Sequence, residues 1–220
     1  MYLRQTARHV DPGLEVIRRC TTTWDEPLEW QGEAERLRIC WGRAAFMCPY
    51  SDFFIEEADA WRPEAWGIVR RTQNILWLIQ TKRTDRIARC LPPGWGEGYF
   101  NAALGVPVED KAHLSRIPFL QTVPAALRYL DISPCLEDVC PDLGDYLEGI
   151  GWVIIAGETG CGLSDDWRPF DLQWARNVRD LCQRRSIPFR FGHAAGRPRC
   201  PSRLLDGQEW NGLPEIWPKA

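Results

Sequence analysis

The run WVIIAGETGCG, Trp152 to Gly162, passes from five apolar residues directly into a glycine cluster that holds one acid, Glu158. Three structures could produce it: a phosphate-binding loop, a dinucleotide fingerprint, or the end of a barrel strand that delivers a carboxylate. A P-loop requires G-x-x-x-x-G-K-[ST], because the lysine and the hydroxyl do the work on phosphate and magnesium. GETGCGLSD supplies neither at the required position. A dinucleotide fingerprint requires G-x-G-x-x-G between strand and helix. Here the order is G-x-x-G-x-G, and Pro169 stands between the glycines and the next helical pattern. A buried strand ending in a tight glycine turn remains, with backbone N–H groups that could form an anion nest beside Glu158.

The same pattern recurs along the chain. LRICWG (Leu37 to Gly42), ILWLIQTKR (Ile75 to Arg83), AALGVPVED (Ala102 to Asp110), LRYLDIS (Leu127 to Ser133) and IPFRFGH (Ile187 to His193) complete a set of six candidate strands. Their near-continuous apolar character suits strands covered on both faces, as in parallel sheets. Between them the spacing predicts helices over Glu57 to Thr72 and over Asp171 to Ser186. The second has an Asp171 cap, apolar residues at helical intervals and basic residues at its end. Strand and helix in alternation mean an α/β fold, with function at the C-terminal ends of the strands whether the sheet is open or a barrel.

At 220 residues, with no break in composition, the chain is expected to form a single domain over residues 1–220. Residues 1–35 read as an irregular N-terminal arm, and residues 194–220 as an irregular tail packed on the body. A net charge of -3 leaves nucleic-acid binding allowed but unindicated. No apolar window has the length of a membrane span or a signal peptide, so a cytoplasmic location is expected. Nine cysteines without any C-x-x-C suit reduced, mostly buried thiols rather than a disulfide framework or a structural zinc site. His9, His113 and His193 are the only histidines, which argues against a histidine-rich metal site. A Ser-His-Asp triad would have to rest on His193, and no G-x-S-x-G accompanies it. The ionisable residues at the strand ends are Lys82, Glu109, Asp131 or Ser133, Glu158 and His193. Converging there, they could shift one another's pKa values as acid–base chemistry requires; the alternative is simple pairing at the rim.

Six motifs in order, YSDFFIEEADAWRPEAWGIVRRT, LIQTKRTDRI, ALGVPVED, WVIIAGETG, IPFRFG and RLLDGQEW, resemble those of the phage protein Gp thirty-seven/Gp sixty-eight family over roughly residues 15–215. That family is similar to radical S-adenosylmethionine enzymes. The resemblance implies an incomplete (β/α) barrel of about six mainly parallel strands, preceded by three cysteines that hold a [4Fe-4S] cluster for cleaving S-adenosylmethionine. Carried onto this chain, it assigns Lys82, Glu109 and Glu158 as catalytic, and Ser51, Asp52, Gly157 and Gly160 as cofactor-binding. The family's cysteine triplet would fall upstream of Met1, so no cofactor is expected in the chain as it stands and no metal ligand is assigned. Ser133 in DISPCL stands where the family has an acid, and Gly192 where it has a lysine. The resulting expectation is a phage- or mobile-element-associated, radical-SAM-like protein that is degenerate, with an unidentified small molecule or protein as partner. The alternatives are a radical S-adenosylmethionine enzyme completed by an upstream cysteine cluster, and a metal-independent hydrolase or lyase using the strand-end carboxylates.

Overall fold

The structure is a computed structural model that describes residues 2–4, 17–20, 23–38, 43–49, 51–159, 167–196 and 202–214. In chain order its elements are β1 (Tyr2–Arg4), β2 (Ile17–Arg19), α1 (Glu26–Leu37), β3 (Arg43–Met47), α2 (Arg62–Arg71), β4 (Ile75–Gln80), β5 (Ala102–Pro107), α3 (Arg116–Gln121), β6 (Leu127–Ile132), α4 (Cys140–Leu143), β7 (Trp152–Ile155), α5 (Leu172–Arg184), β8 (Phe189–Phe191), β9 (Leu204–Leu205) and β10 (Gln208–Glu209). Short 3-10 turns fill several of the connections.

Strands β3 to β8 form one six-stranded sheet whose order follows the chain without reversal. The pairs β3–β4, β6–β7 and β7–β8 are parallel. A doubly wound sheet reverses its order at a switch point, whereas a barrel winds in one direction. The unreversed order, ending at β3 and β8 without closure, makes this an α/β fold of the incomplete-barrel type.

By internal contacts the chain divides into two compact units, one built on Met1–Leu104 with Val123–Ala126, the other on Gly105–Thr122 with Leu127–Trp217. The core of the first is β4, where Ile75, Leu76, Trp77, Leu78 and Ile79 are all buried. Beside it lies an aromatic cluster in which the Trp66 ring sits 4.8 Å from that of Phe53 and 5.2 Å from that of Trp95. Buried Asn101 donates its amide to the carbonyls of Val69 and Thr72, satisfying the end of α2 with the residue that precedes β5. In the second unit, buried Ala175, Val178, Leu181 and Cys182 form the inner stripe of α5. The Asp171 carboxylate accepts from the Gln173 N–H at 2.8 Å and caps the helix as its sequence suggests.

The structure departs from the sequence reading in four places. The strand expected over Leu37 to Gly42 begins where Leu37 ends α1 and Arg38 closes it in the left-handed conformation (φ 53°); its remainder, residues 39–42, lies outside the described residues, and the described strand is Arg43–Met47. As an end strand of the sheet, β3 leaves Ala44 and Phe46 exposed, so it lacks the apolar run that marks a covered strand. The helix expected from Glu57 starts only at Arg62, because Pro63 suits a first turn and the residues before it form a 3-10 segment and a turn. Residues read as an irregular arm include the antiparallel pair β1–β2 and the twelve-residue helix α1. The tail holds the hairpin β9–β10, turned by Asp206 and Gly207, both at positive φ (57° and 79°). Beyond it, the Trp210 carbonyl and the Gly212 N–H bond along the free side of β8. Among the described residues no helix is long and apolar enough to cross a membrane.

Candidate functional site

In the first unit the turn after β3 carries Ser51 and Asp52. The Asp52 carboxylate is 8% exposed and surrounded by donors. Its Oδ1 accepts from the Phe54 N–H at 2.9 Å and the Thr81 hydroxyl at 2.8 Å; its Oδ2 accepts from the Lys82 N–H at 2.9 Å and lies 3.2 Å from Nη1 of Arg83. Two strand-end loops, SDFF and TKR, are thus joined through one carboxylate. Lys82 enters this arrangement through its backbone, and its side chain is exposed. The Ser51 Oγ is buried with no hydrogen-bond partner among the described residues.

In the second unit Glu109 follows β5 and is 7% exposed. Its Oε2 accepts from Nη1 of Arg116 at 2.7 Å, and Nδ1 of His113 lies 3.5 Å away. The same His113 nitrogen is 2.7 Å from Oδ1 of Asp110, whose side chain also caps the 3-10 turn at the N–H of His113. Glu158 follows β7 and is gripped by Arg168. Oε2 accepts from the Arg168 backbone N–H at 2.7 Å and from its Nε at 2.8 Å, while Oε1 accepts from Nη2 at 2.6 Å. These bonds, the guanidinium ones first, hold the Glu158 carboxyl down at about 2. Arg168 is itself held charged, above all by Glu158 and also by the charge of Glu109. The structure therefore brings Glu109 and Glu158 into the field of one guanidinium.

The glycine turn has a plain steric cause. A Cβ on Gly157 would stand 2.3 Å from the backbone nitrogen of Ala195, so only glycine permits the approach. Its N–H is given to the His193 carbonyl at 2.9 Å, and the Glu158 carbonyl accepts from Gly196 at 3.1 Å. The backbone at Gly157 is engaged in chain pairing and offers no donor for an anion nest. Gly160 lies outside the described residues.

Sequence reasoning missed Arg168, Arg116, His113, Asp110 and Thr81. Arg116 could have been found, since a cation seven residues after Glu109 returns across the turn that follows β5. Arg168 lay in DDWRPF, a stretch treated as a mere separator, and nothing local ties it to Glu158.

Among the described residues no three His, Cys, Asp or Glu side chains are grouped to hold a metal ion. Burial pushes the Cys135 and Cys182 thiols up to about 12, which disfavours the thiolate a cluster needs. Cys40, Cys161 and Cys200 lie outside the described residues.

An incomplete α/β barrel whose strand-end carboxylates are clamped by neighbouring cations and backbone donors is the class of protein that fold and site define. The chain belongs to the DUF5131 family, a family of proteins of unknown function, whose model matches residues 3–214. No curated protein and no solved structure matches it.

Proposed function

We propose that the protein is a non-catalytic, barrel-type binding protein of a radical-SAM-like, phage- or mobile-element-associated lineage, which engages a small molecule or a protein partner in the cytoplasm. The observation that carries this reading is the Arg168 fork on Glu158. A carboxyl held at about 2 is too weak a base and too strong an acid to move protons near neutrality. Asp52 and Glu109 support the same conclusion, since Asp52 spends both oxygens, and Glu109 its Oε2, on donors of its own unit. Such carboxylates fix loops in place, which suits recognition rather than turnover. Cys90, Cys135, Cys140 and Cys182, none of them in a disulfide, agree with a reducing compartment.

The test is a calorimetric titration of S-adenosylmethionine into the chain after anaerobic treatment with iron and sulfide. The expected result is no bound iron and no heat of binding. A stoichiometric cluster, or a dissociation constant in the low micromolar range, overturns the proposal.

One observation favours a second reading, that of an enzyme using S-adenosylmethionine. The buried, unpartnered Ser51 hydroxyl is a polar group that a ligand could satisfy. On that reading Ser51→Ala weakens S-adenosylmethionine binding in the same titration, whereas on the first reading neither protein binds.

A further inference from the structure

We draw no further inference here: the strongest candidate, the Cys140 and Cys182 thiol pair where α4 packs on α5, rests only on the electrostatic influence of one thiol on the other, and burial holds both protonated.

Discussion

At the scale of single residues, the account rests on side chains whose positions admit few substitutes. Gly105 is one: a Cβ there would fall 2.3 Å from the buried ring of Tyr129. Gly105→Ala must displace a packed aromatic and is expected to destabilise the protein by about 1–3 kcal/mol, measurable by urea denaturation. Glu158 is another. Its folded carboxyl lies below the ordinary 4.5, at about 2, so the clamp's contribution is full above about pH 4.5 and is lost as pH falls through about 2. Arg168 is 56% exposed, and water screens the pair, so Glu158→Gln should cost about 1 kcal/mol near neutral pH. Thermal melts should show that difference near pH 7 and none near pH 2. Equal melting temperatures across the whole range would remove the clamp from the account.

At the scale of elements, two joints carry the local order. Asp52→Asn replaces an acceptor pair with one acceptor and one amide donor, so either the Phe54 or the Lys82 N–H must lose its partner. Because the site is buried, the loss should be about 1–3 kcal/mol in denaturation measurements, with hydrogen exchange accelerated at Phe54 or Lys82. Asp171→Ala removes the cap of α5 and should cost about 1 kcal/mol, while Asp171→Ser retains most of the stability. Both elements flanking these joints were legible in the sequence. β4 reads as an unbroken apolar run because it is buried throughout, and α5 shows its stripe because one face is buried and the other wet. β3 was illegible for the opposite reason: an end strand with exposed Ala44 and Phe46 leaves no such signature.

At the scale of the molecule, five of the six sheet strands and their α/β alternation followed from apolar runs, because burial by crossover helices writes itself directly into composition. The site was legible only in part. Acids at strand ends are visible in one dimension, and Glu109 and Glu158 stand where the runs stop. Their cations are not visible, since Arg168 reaches Glu158 through a loop with no periodicity, and the meaning of a carboxylate depends on that partner. An unpartnered Glu158 would suit proton transfer; a forked one serves as a fastener. The most direct test of the account is therefore the titration of the Glu158 side-chain carboxyl, followed by carbon NMR in the intact protein. It should titrate at about 2 and move back toward 4.5 in Arg168→Ala. A Glu158 carboxyl that titrates at or above 4.5 in the native protein would contradict the account and return this residue to acid–base chemistry.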